Sequence, residues 1–193
     1  GVSAKYKAEY YIFLSMSVLG LMMLVSSVEL LAIFIALELS SFAVYIMVPM
    51  RSAEHGSKDQ MEAGIKYLLF GVAATGFMLF GMSYLFGLTG STRLDVIISQ
   101  LSTMYTQPVV IIAVALVLAG FFYKLALFPL HFWVPDIYQG ASNETTSFIA
   151  AVPKIAAVAM LTRFAILAGD TGEFMVNLLM VCAVASMFYG NLS

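Results

Sequence analysis

The 193-residue sequence has a formal net charge of -2, and 62% of its residues are hydrophobic while only 10% are charged. Together with a mean hydropathy of +0.96, this composition excludes a soluble globular domain and indicates an integral membrane protein. The sequence has no basic cluster that would neutralise phosphates, which argues against a nucleic-acid partner. Its single cysteine, Cys182, excludes an intrachain disulfide and a thiolate-bound zinc or iron–sulfur cluster within this chain.

The hydrophobic residues form long runs rather than alternating ten-residue segments, which favours an all-α bundle of transmembrane helices. Because a helix needs about 20 apolar residues to cross a bilayer, we predict a single membrane domain, residues 1–193, with about six spans. The predicted spans are 10–28, 30–50, 61–87, 108–128 (broken near 129–135), 146–167 and 173–190. The chain begins at Gly1 and stops shortly after a hydrophobic run, so we expect it to be part of a longer protein.

The polar connections between the spans predict the orientation of the bundle. Lys5, Lys7, Arg51 and Lys58 fall on one side, the last two in a polar loop at 51–59, and the other side holds chiefly Arg93. Since cytoplasmic loops carry an excess of lysine and arginine, residue 1 is predicted to lie on the cytoplasmic side, or on the matrix or stromal side in an organelle.

The segment 121–141, FFYKLALFPLHFWVPDIYQGA, places Lys124 in apolar sequence and follows it with Pro129 and Pro135. A proline inside a helix removes one hydrogen bond, so Pro129 is predicted to free a carbonyl near residue 125. Irregular backbone occurs at membrane depth only where protein covers it or where it lines water. We therefore predict a discontinuous helix with its lysine facing a polar interior.

Three charged residues are predicted near the middle of the membrane: Glu38, Lys124 and Lys154. Inserting all three unpaired would cost about 8 to 10 kcal/mol, so pairing or hydration must compensate, and such charges typically mark ion pathways. A nearby carboxylate favours a charged lysine and burial favours a neutral one, so small changes in distance or hydration would decide whether the lysine holds a proton. The alternative is that Glu38 and one lysine form a structural ion pair.

Two further residues allow two interpretations each. Lys66 lies about one and a half turns inside the third span and is either part of the pathway or a lysine whose stem reaches the membrane surface. His131 follows the break; it either shuttles protons near neutral pH or packs as a singly hydrogen-bonded residue.

Five stretches carry a resemblance to a known family: LELSS around Glu38, EAGIKYLLFG around Lys66, FYKLALFPLHFWVPDIYQGA around Lys124, AAVPKIAAVAMLTR around Lys154, and FYGNLS at the end. In this order they resemble the N-type membrane subunits of respiratory complex I, the proton-translocating NADH:quinone oxidoreductase. These subunits belong to the antiporter-like family, and the resemblance covers nearly the whole chain.

The resemblance implies the first five-helix repeat of an antiporter-like subunit and the start of the second. In the family, a glutamate pairs with a lysine on a broken helix, and a lysine on the next helix carries protons onward. These roles would fall to Glu38, Lys124 and Lys154, while Lys66 and His131 match further polar residues of the N type.

The resemblance further implies that quinone reduction is coupled to H⁺ pumping through these buried residues. It implies that this chain holds no cofactor and performs no redox chemistry, and that NADH, FMN, iron–sulfur clusters and quinone belong to partner subunits. The partners would be other membrane-arm subunits and the lipid bilayer, in a bacterial inner membrane or in an organelle inner or thylakoid membrane.

The residues leave other functions open. A multisubunit Na⁺/H⁺ antiporter, or a related membrane hydrogenase or dehydrogenase complex, shares the general pattern of charges. A structural membrane scaffold is the third hypothesis, and it predicts that replacing Glu38 and Lys124 by leucine leaves function unchanged.

Overall fold

A computed structural model describes residues 1–52, 57–169 and 173–192, apart from the side chains of residues 57 and 59. Residues 53–56 of the predicted polar loop thus lie outside the described residues. Within the described ranges the chain forms eight α-helices, and short 3-10 helices occupy Ala4–Tyr6 and Val48–Met50. The α-helices are α1 (Lys7–Ser26), α2 (Leu30–Met47), α3 (Ser57–Thr89), α4 (Leu94–Leu101), α5 (Pro108–Leu125), α6 (Val134–Gly140), α7 (Asn143–Ala168) and α8 (Glu173–Leu192).

Six of these helical segments are long and apolar enough to cross a membrane, and α4 and α6 are too short to do so. The six candidate spans are Ala4–Ser26, Leu30–Met50, Gln60–Thr89, Pro108–Leu125, Asn143–Ala168 and Glu173–Leu192. The prediction of an all-α, polytopic membrane bundle with a discontinuous helix is confirmed.

Small residues let α1 and α2 pack closely. A Cβ atom at Gly20 would lie 2.7 Å from the Ser40 backbone nitrogen and 2.8 Å from the Ala36 carbonyl oxygen, so only glycine fits there. The hydroxyls of Ser17 and Ser40 are buried and 2.8 Å apart, within hydrogen-bond distance. Close backbone approach and interhelical hydrogen bonds are the usual means of holding helices together in a bilayer.

The glycines of α3 differ in what they face. A Cβ atom at Gly81 would lie 2.7 Å from the Ala113 carbonyl oxygen of α5, and one at Gly71 would overlap the Tyr45 hydroxyl of α2. One at Gly64 would lie 3.3 Å from Pro49. By contrast, nothing in the described part of the chain lies within 4 Å of a Cβ at Gly76, so this glycine does not mark a close helix contact there.

Backbone hydrogen bonds tie two turns together at one end of the bundle. The Leu30 amide donates to the Thr92 carbonyl at 2.8 Å, and the Leu94 amide donates to the Val28 carbonyl at 3.0 Å. These bonds connect the turn between α1 and α2 to the turn between α3 and α4.

Arg163 closes the same end of the bundle. Its guanidinium donates to the carbonyl of Val25 at 3.2 Å and to that of Ser27 at 2.9 Å. The Arg163 side chain therefore caps the carbonyl end of α1.

The buried residues form two clusters. The larger is mainly aliphatic, has members on α1, α2, α3, α4, α5, α7 and α8, and includes Phe121 and Phe122 of α5. The second is rich in aromatic rings and includes Tyr45, Tyr123 and Trp133. Lys124 follows Tyr123 directly in sequence, so its backbone lies where the two clusters meet.

Candidate functional site

Helix α5 ends at Leu125, directly after Lys124, and not at the predicted break near Pro129. Ala126 adopts the left-handed conformation, with φ 58° and ψ 40°. The amides of Ala126 and Leu127 then donate to the carbonyls of Tyr123 and Phe122, each at 3.0 Å. This pattern is a Schellman motif, which satisfies the last carbonyls of a helix internally.

The prediction that Pro129 frees a helix carbonyl near residue 125 is thus wrong. Helix α5 has ended four residues before this proline, in a turn that its own amides stabilise. The chain continues through turns to Val134, where α6 begins with Pro135 in its first turn. A proline suits this position, because the first amides of a helix lack partners in any case. The discontinuity that places Lys124 at a helix end is therefore present.

One face of α2 provides the surroundings of Lys124. Glu38, Ser41 and Tyr45 follow the spacing i, i+3 and i+7, which places them on the same side of a helix. The Lys124 ammonium donates to the Ser41 hydroxyl with Nζ and Oγ 2.6 Å apart. Its nitrogen also lies 5.9 Å from the centre of the Tyr45 ring, a distance at which a cation is attracted to the ring face.

The Lys124 side chain is removed from solvent, and its partner Ser41 lies away from the ends of α2. Its side chain is 8% exposed, and that of Ser41 is fully buried. Ser41 lies six residues before the end of α2 at Met47, or about 9 Å along the helix axis at 1.5 Å per residue. The amine of Lys124 is therefore held inside the apolar bundle.

Glu38 acts on Lys124 without touching it. The two side chains interact electrostatically, yet no ion pair of Glu38 with either central lysine occurs among the described residues. Its Oε1 atom is buried and has no hydrogen-bond partner in the part of the chain that the structure describes. Neither the structural ion pair of Glu38 with a lysine nor the direct Glu38–Lys124 pairing that the resemblance implies is present among the described residues, and Ser41 is the direct partner of Lys124.

Lys154 lies on α7, one residue after Pro153, which stands inside that helix. Since proline has no amide hydrogen, the carbonyl four residues earlier, at Ile149, lacks its helical partner. The half-buried Lys154 side chain places its Nζ 6.0 Å from the centre of the Tyr138 ring on α6. The structure thus sets each central lysine beside a tyrosine.

Lys66 connects α3 to α6. Its Nζ lies 2.7 Å from a carboxylate oxygen of Glu62 and 2.7 Å from one of Asp136. The three side chains line a polar cavity of about 200 Å³ together with Gln139. Lys66 is part of an ion-pair network at the surface, and Asp136 orders α6 through it.

His131 lies in the turns between α5 and α6 and packs against aromatic rings. Its ring centre is 5.6 Å from that of Phe128 and 4.4 Å from that of Tyr189 on α8. Its Nδ1 atom is buried without a hydrogen-bond partner among the described residues. The structure therefore brings His131 to α8, and the contacts of Lys124 and Lys154 are made by other residues.

Sequence reasoning missed Ser41, Tyr45 and Tyr138. Short hydroxyl side chains and tyrosines are ordinary in membrane helices, so they attract no attention singly. The spacing from Glu38 identifies Ser41 and Tyr45 once Glu38 is taken as a site residue. Nothing in the sequence indicates that Tyr138 contacts Lys154, since the contact depends on how α6 packs against α7.

The arrangement suits the binding and release of protons by an amine. In residues 1–52, 57–169 and 173–192, no three His, Cys, Asp or Glu side chains cluster closely enough to hold a metal ion. Burial favours the neutral form of an amine and a nearby carboxylate favours its charged form, so the surroundings of Lys124 act on it in opposite directions.

Comparison with known proteins gives the family. Residues 27–193 match a family model described as NADH:quinone oxidoreductase/Mrp antiporter, TM. The chain is 53% identical over 191 residues to NADH-quinone oxidoreductase subunit N 2 of Opitutus terrae, covering 99% of this chain and 40% of that relative. It is 43% identical over 195 residues to the subunit of the same name in Syntrophobacter fumaroxidans, covering 100% of this chain and 40% of the relative.

Solved structures agree with this assignment. Respiratory complex I from Thermus thermophilus matches with a TM-score of 0.68 and 34% identity, over 79% of this chain and 33% of the matched chain. The archaeal membrane-bound sulfane sulfur reductase matches with a TM-score of 0.77 over 91% of this chain and 35% of its own, and at 24% identity it supports the fold alone.

The chain spans 40% of the length of both curated relatives. Their names confirm the resemblance to complex I subunit N that the sequence motifs indicated. On the match over residues 27–193, the chain belongs to the NADH:quinone oxidoreductase/Mrp antiporter family of transmembrane proteins.

Proposed function

We propose that this chain is a proton-translocating membrane-arm subunit of a complex I-like NADH:quinone oxidoreductase. The observation that carries the proposal is the position of Lys124, buried at the end of a discontinuous helix and hydrogen-bonded to Ser41. Ionisable residues inside a membrane bundle are costly and typically mark ion pathways.

Each central charged residue has a proposed role. Lys124 takes up and releases the proton, because its neutral hydroxyl partner accepts a hydrogen bond from either form of the amine. Glu38 sets the balance between the two forms through its charge rather than through an ion pair. Lys154 receives the proton on α7.

Lys66 and His131 have subordinate roles in the proposal. Lys66 lies with Glu62 and Asp136 at a polar cavity open to the surface, which suits a proton entry point. His131 lies against α8, a position that suits the transfer of protons toward that helix.

The redox chemistry belongs elsewhere in this proposal. NADH, FMN, iron–sulfur clusters and quinone are bound by partner subunits, and this chain contributes no redox group. It assembles with other membrane-arm subunits in the inner membrane of a bacterium, and quinone reduction supplies the energy that moves the proton. The subunit names of the relatives support this arrangement.

The test is proton uptake by vesicles that contain the complete subunit in its complex. Replacing Lys124→Ala is expected to abolish proton translocation while assembly remains intact, because alanine removes the titrating amine but leaves an apolar side chain in an apolar bundle. A matched control is Lys58→Ala, which removes an exposed lysine. Normal proton uptake by a fully assembled Lys124→Ala complex would refute the proposal.

A second candidate is a subunit of a cation/proton antiporter without redox coupling, because the family description covers Mrp antiporters as well. Purification decides between the two. Copurification with NADH- or quinone-reactive subunits supports the first function, whereas sodium-dependent proton exchange in their absence supports the second.

A further inference from the structure

Both central lysines lie over the face of a tyrosine ring. The Lys124 nitrogen is 5.9 Å from the centre of the Tyr45 ring, and the Lys154 nitrogen is 6.0 Å from the centre of the Tyr138 ring. Within about 6 Å of a ring centre, a cation is attracted to the negative charge on the ring face. The two lysines therefore share one kind of neighbour, although Tyr45 belongs to α2 and Tyr138 to α6.

Neither lysine has a carboxylate in contact within the described ranges of the chain. Glu38 acts on Lys124 electrostatically, without an ion pair, and Ser41 provides a neutral acceptor. A charge that is buried without a counter-ion in contact is costly. An aromatic face beside the ammonium compensates part of this cost without a charge of its own.

The titratable groups around Lys124 come from the elements that pack against it. Glu38 and Tyr45 lie on α2, Tyr67 lies on α3 against the Tyr45 ring, and Tyr123 precedes Lys124 on α5. Helix α7 meets α5 through apolar rings, Phe164 against Phe121 with centres 5.5 Å apart. Phenols are ordinarily neutral near pH 7. The acid of this set is therefore Glu38, and the aromatic face nearest to the amine is that of Tyr45.

Tyr45 is fixed in this position by α3. The residue is 5% exposed, and its ring meets the Tyr67 ring edge to face with centres 4.9 Å apart. The missing side chain at Gly71 makes room for the end of the Tyr45 ring. A Cβ atom there would overlap the hydroxyl oxygen and would lie 2.5 Å from the ring carbon that carries it. The ring face beside Lys124 is therefore set by helix packing.

We infer that the ring faces of Tyr45 and Tyr138 stabilise the positive charge of Lys124 and Lys154 while each amine holds its proton. The inference rests on the proposed function and deepens it, because it names the group that favours the ammonium at each lysine. Both tyrosines act through the lysines and are positioning residues. The ring attracts the ammonium more strongly than the neutral amine, so it opposes the effect of burial.

The alternative is that the two rings only fill space beside the lysines. A ring that fills space acts through its shape, whereas a ring that stabilises an ammonium acts through the negative charge on its face. Fluorine atoms on the ring edge withdraw this charge and change the shape of the ring very little. The two hypotheses therefore differ in what fluorination of the ring does.

The decisive series places phenylalanine and its mono-, di- and trifluorinated forms at position 45 or at position 138. The residues are incorporated as unnatural amino acids into the complete subunit within its assembled complex. Tyr45→Phe and Tyr138→Phe are the baselines, so the hydroxyl is absent from every member of a series. The Tyr45 hydroxyl and its interaction with Ser41 thus do not enter the comparison.

The measurement is proton uptake by vesicles as a function of pH. Uptake requires the lysine to accept a proton, so the rate falls above the pH at which the amine stays neutral. Loss of the attraction to the ring is expected to move this fall to lower pH with each fluorine, by about 0.4 to 1.5 pH units across the series. Unchanged pH profiles at both positions would overturn the inference, and a shift at one position alone would overturn it for the other lysine.

Phe80 of α3 is the matched control. Its ring is 55% exposed and lies against the Tyr84 ring with centres 4.9 Å apart. Fluorinated phenylalanine at position 80 is expected to leave the pH profile of uptake unchanged. An equal shift at positions 80 and 45 would show that fluorination acts on the bundle in general, and it would overturn the inference.

Measuring Lys124→Ala in parallel separates the inference from the proposed function. Loss of uptake in Lys124→Ala together with unchanged pH profiles in both fluorinated series refutes only the role of the rings. Normal uptake in Lys124→Ala refutes the proposed function itself.

Discussion

Ser41 is the residue whose chemistry best explains how a buried lysine can change its protonation state. Its hydroxyl accepts a hydrogen bond from Lys124 at 2.6 Å and donates one to the Leu37 carbonyl of its own helix. A neutral hydroxyl accepts from an ammonium and from an amine alike, whereas a carboxylate in contact would favour the ammonium. In the proposed function, the separation of Glu38 from direct contact leaves Lys124 free to exchange its proton.

Ser41→Ala is predicted to destabilise the bundle, because it leaves the buried Lys124 amine without its acceptor. An unsatisfied buried polar group costs about 1–3 kcal/mol of the free energy of unfolding. Thermal unfolding of the purified complex in detergent measures the change. Ser15→Ala is the control, since Ser15 is exposed and its hydroxyl donates to the Tyr11 carbonyl of its own helix. Equal destabilisation by the two variants would contradict the prediction.

Close helix packing positions the site elements. Helix α3 approaches α5 at Gly81 and α2 at Gly71, so the helix that carries Lys124 and the helix that carries Ser41 both pack against the same neighbour. The Schellman motif ends α5 directly after Lys124. The depth and direction of the lysine therefore follow from helix contacts and a helix end.

Gly81→Ala is predicted to separate α3 from α5 and to lower the free energy of unfolding by about 1–3 kcal/mol, the usual cost of overpacking. Its Cβ atom would lie 2.7 Å from the Ala113 carbonyl oxygen and 2.9 Å from the Val117 nitrogen. Gly76→Ala is expected to be neutral or to stabilise α3 by up to about 1 kcal/mol through helix propensity. If thermal unfolding finds Gly81→Ala to be as stable as Gly76→Ala, the contact of α3 with α5 at Gly81 is not tight.

Most of the architecture follows from the sequence, whereas much of the site does not. Long apolar runs determine the spans, and Lys124 before two prolines indicates a lysine at a broken helix. The end of α5 at Leu125 was not predictable, because a left-handed alanine at 126 has no sequence signature. Long-range partners such as Tyr138 for Lys154 depend on how distant helices pack, which no local pattern encodes.

The three lysines of the proposed function lie at different places in the bundle. The Lys66 network lines a cavity at the surface, Lys124 lies inside beside α2, and Lys154 lies beside α6. Moving one proton across a membrane potential of 100 mV requires about 2.3 kcal/mol. This chain has no redox group in the proposed function, so the energy must come from conformational coupling to partner subunits.

The central claim is that Lys124 exchanges a proton rather than only supplying a positive charge, and Lys124→Arg tests it most directly. Arginine keeps the charge, but its guanidinium does not release its proton in proteins. With assembly verified and exposed Lys58→Arg as control, proton uptake by vesicles is predicted to fall to the level of Lys124→Ala. Proton uptake at the normal rate in Lys124→Arg would contradict the account.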